Sequence, residues 1–163
     1  FLNTYFAAMI DIILENEGTL DKFMGDAVLA LFGAPVQHDD DALRAVKVAL
    51  AMRDTLRRLN AQWASAGKPQ IRIGIGISTG EVIVGNIGSA RRLEYTAIGK
   101  DVNYAQRIEA LTKEIPAGIL INETTYELVK DHVVAEKFGP LIIRGREAPV
   151  CVYGINGLRN SVH

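Results

Sequence analysis

Leu93-Glu94-Tyr95-Thr96-Ala97-Ile98-Gly99-Lys100-Asp101-Val102-Asn103-Tyr104-Ala105-Gln106-Arg107 reads as a strand, a glycine turn and the start of a helix. The β-branched and aromatic residues before Gly99 favour extended chain, and glycine breaks it. Beyond the turn, Asn103 and Arg107 are spaced i, i+4, which puts both side chains on one helix face, one turn apart. One is a neutral amide, and the other is a permanent cation with a planar fork of donors suited to phosphate oxygens. The stretch is therefore a candidate anion-handling device, and it sets a pattern of short strands alternating with helices.

Upstream of it, residues 71–78 alternate Ile71, Ile73, Ile75 and Ile77 with Arg72, Gly74, Gly76 and Ser78. Strict period two predicts a strand with one apolar and one nearly bare face, and its glycines suggest close approach of another backbone or a ligand. Thr79-Gly80 is expected to turn back into the second strand of a hairpin over 81–84, with 85–89 as a glycine-containing loop. Residues 19–23 and 27–32 are short apolar runs that predict a β-hairpin with Gly25-Asp26 at its tip. Leu2, Phe6, Met9, Ile10 and Ile13 give residues 1–16 a helical stripe, and Gly18 is the expected stop. A second, longer helix follows Asp39-Asp40-Asp41, with Ala42, Ala45, Val46, Ala49, Met52, Leu56, Leu59 and Trp63 as its stripe. Arg44, Lys47, Arg53, Arg57 and Arg58 lie largely off that stripe and read as a solvated face.

Downstream, residues 119–122 predict a strand and 123–130 a helix capped by Asn122 or Thr124, while 133–138, 141–144 and 150–155 read as closing strands. Helices interspersed with hairpins predict an α+β sandwich, in which helices cover a mainly antiparallel sheet.

The 163 residues suit one domain, expected over 1–156 with 157–163 as a flexible tail. A net charge of −1 gives no electrostatic case for nucleic acid or an anionic membrane. No apolar run reaches the roughly 18 residues of a membrane span. The single cysteine, Cys151, cannot form an internal disulfide, which fits a cytoplasmic setting. Asp26 at a hairpin tip suits a hard cation, although a lone turn aspartate is common. Lys22 on the entering strand could meet a base or simply occupy an edge. Gly85-Asn86-Ile87-Gly88-Ser89 lacks the Gly-Lys-Ser/Thr ending of a P-loop. His38, His132 and His163 are scattered, and no nucleophile–base pair stands out. An enzyme built this way works by positioning and charge stabilisation.

Taken together, Leu20-Asp21-Lys22-Phe23-Met24-Gly25-Asp26-Ala27 with Phe32-Gly33-Ala34-Pro35, Ile73-Gly74-Ile75-Gly76-Ile77-Ser78-Thr79-Gly80, Val84-Gly85-Asn86-Ile87-Gly88-Ser89 and the opening stretch resemble the class III adenylate/guanylate cyclase catalytic domain. Arg144-Gly145-Arg146-Glu147-Ala148-Pro149-Val150 also fits. Each block alone is modest, and their order and spacing make the match specific.

The resemblance implies a ferredoxin-like βαββαβ core with added β elements. It also implies a head-to-tail homodimer with active sites at the interface, and two divalent ions, Mg²⁺ or Mn²⁺, per site. ATP would be cyclised to 3′,5′-cyclic AMP with loss of pyrophosphate. By position, Asp26 matches a metal aspartate, and Lys22 and Thr96 match the residues that select adenine. Asn103 matches the ribose-orienting residue, Arg107 the arginine at the α-phosphate, and Arg144 the position of a phosphate-binding lysine. Asp26 would come from one subunit and the others from its partner. The Lys–Thr pair resembles adenylate cyclases, whereas guanylate cyclases tend to use glutamate and cysteine. The threonine also resembles a subgroup that includes bicarbonate-responsive cyclases.

The chain departs from the family pattern in three places. The other metal aspartate belongs to a strand upstream of Phe1, so the first core strand is expected to be missing here, and Asp11 within the first helix is no substitute. On that reading the 163 residues alone have little activity, and regulatory domains lie elsewhere in the parent chain. Arginine replaces lysine at position 144. Lys100-Asp101 and Gln106 are unusual choices in the turn–helix block. The alternatives are a guanylate cyclase or a catalytically impaired cyclase-like dimerisation domain. A diguanylate cyclase lacks support because its Gly-Gly-Asp/Glu-Glu-Phe turn is absent, and an RNA-binding module because aromatics are only 7 %.

Overall fold

The computed structural model of the chain describes residues 2–89 and 92–159, with side chains described except at positions 2, 86–89 and 92–96. Helix α1, Leu2–Glu15, buries Tyr5, Met9 and Ile13 along one stripe. Its end is a Schellman arrangement: Gly18 N–H donates to the Ile13 carbonyl and Glu17 N–H to that of Leu14. The left-handed residue there is Glu17, at φ 60°, rather than the glycine. Gly18 is needed for space, because a Cβ would lie 2.8 Å from both Ile13 and Phe32.

The expected hairpin is present as β1, Thr19–Met24, paired antiparallel with β2, Ala27–Leu31. Helix α2, Asp41–Ser65, packs two ways. Leu56 and Trp63 join Tyr5 and Met9 of α1, while Val46, Ala49 and Leu50 enter the main core. Arg44 is not part of a solvated face. It is only 13 % exposed, and it pairs with Asp40 and Asp41 and donates to the Asn16 carbonyl at 2.8 Å, stapling α2 to the end of α1.

The central sheet has the order β3-β6-β8-β7, from Ile75–Ile77, Ile119–Asn122, Val150–Leu158 and Val133–Leu141. The β3–β6 pair is parallel and the other two pairs are antiparallel. Every residue of β6 is buried. Ile119 and Ile121 meet α2 and helix α4, Glu123–Val129, on one face; Leu120 meets Tyr104 and Ile108 of helix α3, Lys100–Leu111, on the other. The architecture is α+β, as the sequence predicts.

Three strand expectations are corrected. The strand over 71–78 shortens to β3, because the Asn60 side chain takes both backbone groups of Ile71 at 2.8 Å each. The segment after Gly80 does not fold back on β3. Instead β4, Ile83–Ser89, includes the expected loop and pairs in continuous register with β5, Arg92–Ile98. Residues 141–144 are not a separate strand. Leu141 ends β7, and a turn closes through Arg146 N–H to the Ile143 carbonyl at 3.0 Å. At the C-terminal end, Gly157 and Leu158 lie in β8 rather than in a tail, and Arg159 N–H bonds the His132 carbonyl at 2.8 Å.

The close approach read from the glycines of 71–78 is real. A Cβ on Gly76 would lie 2.5 Å from the Ala105 carbonyl oxygen and the Glu109 nitrogen, so α3 rests directly on that bare strand face. Beside it, Asn122 caps α4 by accepting from Thr125 N–H at 3.0 Å, and it also accepts from Thr79 N–H at 3.3 Å.

Candidate active site

The two ends of the site are set by local backbone events. In the hairpin, register slips between Leu20 and Lys22, so Asp21 is the extra residue of a bulge. The bulge re-aims its carboxylate, and Oδ2 accepts from Ala97 N–H at 3.2 Å. The hairpin is thereby tied to β5 just before the Gly99 turn. The tip needs left-handed backbone at Gly25, φ 64°, and presents Asp26 to solvent.

At the turn, Gly99 has φ 148° and directs the chain into α3. A groove of about 180 Å³ opens between hairpin, turn and helix. Lys22 and Met24 line it from the hairpin, Gly99 from the turn, and Asn103 and Gln106 from α3. Gln106 Nε2 lies 3.1 Å from Met24 Sδ and bridges the two walls. Lys22 and Asn103, far apart in the chain, therefore share one cavity.

One turn along α3, Arg107 is half-buried, and its Nη1 donates to the Arg144 carbonyl at 2.5 Å. Gly145, at φ 92°, leaves the space for this contact, since a Cβ there would lie 1.9 Å from Arg107 Nη1. The Arg144 side chain is exposed, so it is the carbonyl of this residue that meets α3. Asp26 does not line the groove. Burial, and secondarily the Asp26 charge, push the Tyr5 phenol above its ordinary pKa. Thr96 lies in β5, opposite Gly85, and its side chain is outside the described residues. Asp21, Asp101 and Arg146 stand in the sequence blocks quoted above, but sequence reasoning assigned no role to any of them; the structure puts each in a contact of this region. A carboxylate within the short strand Thr19–Met24 was the available signal for Asp21.

Among the described residues no group of three or more His, Cys, Asp or Glu side chains is gathered as a metal cage. Asp26 supplies a single carboxylate. That suits Mg²⁺, which is commonly held by one or two carboxylates together with substrate phosphates and water.

The sequence profile of the adenylate and guanylate cyclase catalytic domain matches residues 1–157. The chain belongs to this cyclase family. It is 32 % identical over 162 residues to adenylate cyclase 1 of Rhizobium meliloti, covering 99 % of this chain and 24 % of that protein. The domain thus spans about a quarter of that relative's length. Among solved structures, the adenylyl cyclase CyaB of P. aeruginosa superposes with a TM-score of 0.89 at 38 % identity, over 99 % of this chain and 83 % of that one. The guanylyl cyclase Cya2 superposes with a TM-score of 0.84 at 42 % identity, over 98 % and 80 %. The cyclase fold is common to both nucleotide specificities, so choice of base rests on individual side chains.

Proposed function

We propose that this cyclase domain converts ATP to 3′,5′-cyclic AMP and pyrophosphate, as part of a longer signalling protein whose catalytic region lies in the cytoplasm. The observation that carries the reading is the groove shared by Lys22 and Asn103, with Arg107 one turn further on. In the reaction the ribose 3′-hydroxyl loses its proton to water as its oxygen forms a bond to the α-phosphorus, and the bond from that phosphorus to the pyrophosphate oxygen breaks, the electron pair leaving with pyrophosphate. Lys22 donates to the adenine ring from the hairpin wall, with Thr96 as the second base-selecting residue. Asn103 uses its amide to orient the ribose. Arg107, held by the Arg144 carbonyl, offers its remaining donors to charge growing on the α-phosphate. The exposed Arg144 side chain binds phosphate oxygens. Asp26 would hold a divalent ion, Mg²⁺ or Mn²⁺, together with phosphate oxygens. Two such ions, when bound, would supply electrostatic activation of the attacking oxygen and stabilisation of the leaving one.

Asp26 is exposed at the hairpin tip and is not among the residues that line the groove, so on this reading the site is completed across a homodimer, with Asp26 from one subunit and the groove from its partner. A guanylate cyclase is the second reading, supported by the 42 % identity to Cya2. The test is turnover of ATP and of GTP by the full-length protein with Mg²⁺ or Mn²⁺. Cyclic AMP as the main product supports the first reading, and cyclic GMP replaces it with the second. Absence of both products overturns the enzyme assignment.

A further inference from the structure

The turn at Arg144, Gly145 and Arg146 is fastened to α3 by a second set of contacts, which the chemistry above does not use. Arg146 lays its guanidinium over the Tyr104 ring, with Cζ 3.8 Å from the ring centroid. Its Nη2 lies 3.2 Å from Asp101 Oδ1. The same Asp101 oxygen accepts from Ser78 Oγ at 3.3 Å. The Asp101 carboxylate fills space that Gly80 leaves empty, since a Cβ there would lie 1.9 Å from Oδ2. Three separate segments, the end of β3, the start of α3 and the β7–β8 connection, therefore meet on one ion pair. Asp101 and Tyr104 flank Asn103 in sequence, and Arg107 is one turn beyond. The turn is thus gripped twice: by Arg146 on Asp101 and Tyr104, and by Arg107 on the Arg144 carbonyl.

We propose that Arg146 is a positioning residue for the cyclase reaction. By stacking on Tyr104 and pairing with Asp101, it fixes the turn so that the Arg144 carbonyl aims the Arg107 guanidinium. This rests on the cyclase reading. A guanidinium suits the task because it stacks flat on a ring and offers a planar fork to a carboxylate, which an ammonium cannot do.

The test compares full-length wild type with Arg146→Ala, Arg146→Lys, Asp101→Asn, Arg107→Ala and the Arg107→Ala/Arg146→Ala double variant. Arg146→Ala is expected to lower kcat at least tenfold, leave KM for ATP within twofold, and keep Tm near wild type. Arg146→Lys should recover only part of the loss. In the Arg107→Ala background, removing Arg146 should cost nothing further, because its effect runs through Arg107. Hydrogen exchange over residues 141–150, read by mass spectrometry, should rise in both Arg146→Ala and Asp101→Asn. Unchanged kcat, full rescue by lysine, or equal losses in the presence and absence of Arg107 would overturn the proposal. If wild type makes no cyclic nucleotide, the cyclase reading has failed, and exchange alone still decides whether the clamp exists: unaltered exchange sinks it.

Discussion

Asp21 Oδ2 accepts the Ala97 backbone N–H at 3.2 Å, across 76 positions of sequence. It is a carboxylate freed by a β-bulge and used to join the Lys22 hairpin to the strand that delivers Gly99 and α3. Because Lys22 and Asn103 stand on opposite sides of this joint, the joint sets the width of the groove between them. A hydrogen bond to a charged group contributes about 1.5–3 kcal/mol. Asp21→Ala in the full-length protein should therefore raise KM for ATP about tenfold, the size of a loss near the lower bound. Asp21→Asn keeps a side-chain oxygen and should stay within about threefold of wild type. Equal KM values for alanine and asparagine would show that the acceptor does not set the groove.

Base choice is the second expectation. Lys22 lines the groove from β1, and Thr96 is proposed as the second base-selecting residue. Losing one charged hydrogen-bond donor to a base corresponds to about 1.5–3 kcal/mol, or roughly 10- to 100-fold in kcat/KM. Lys22→Ala should lower kcat/KM for ATP by that factor. Lys22→Glu combined with Thr96→Cys should invert the ratio of ATP to GTP turnover, measured by separating cyclic AMP from cyclic GMP. A double variant that keeps its preference for ATP would remove both residues from base selection.

The hairpin, the strand–Gly99–helix unit and both long helices were legible in the sequence because each carries its own periodicity and punctuation. The shortened β3 was not, because a side chain, Asn60, substitutes for a neighbouring strand at Ile71. The extension of β4 through Gly85 and Gly88 was hidden by glycines that signal a loop locally and are overridden by pairing with β5. At the site, Lys22 and Asn103 could be named from motif position. Contacts of Asp101 and Arg146 could not, since charge type alone does not say which surface arginine finds a ring and a carboxylate. Arg44 was misread for the same reason: its place off the apolar stripe of α2 says nothing of the Asn16 carbonyl beside it.

Arg107 is expected to be the most sensitive position of the groove region. Its guanidinium is preorganised by the Arg144 carbonyl before any substrate arrives. Removing one preorganised donor to a developing oxyanion costs about 10²–10³ in kcat. Arg107→Ala should show a fall of that order at saturating ATP, with KM changed far less. Arg107→Lys keeps the charge but cannot serve the carbonyl and a phosphate oxygen through one rigid plane. It should recover less than about a tenth of wild-type turnover, a shortfall equal to about 1.4 kcal/mol. Full recovery would mean that charge alone, without the fork, is sufficient.

Gly76 links the stability of the sheet to the placement of the site. Its bare face lies against the α3 backbone, where a Cβ would meet the Ala105 oxygen and the Glu109 nitrogen, both at 2.5 Å. Backbone atoms in a helix cannot step aside as a long side chain can, so even alanine must push α3 outward. Overpacking of this kind costs about 1–3 kcal/mol. Gly76→Ala should lower the urea midpoint accordingly, whereas Gly157→Ala, in β8 with nothing within 4 Å of its added Cβ, should not. Because Asn103 and Arg107 ride on α3, Gly76→Ala should also lower kcat under conditions where the protein stays folded. Unchanged stability together with unchanged turnover would mean that α3 is free to shift on the strand, and that the groove is not fixed by this contact.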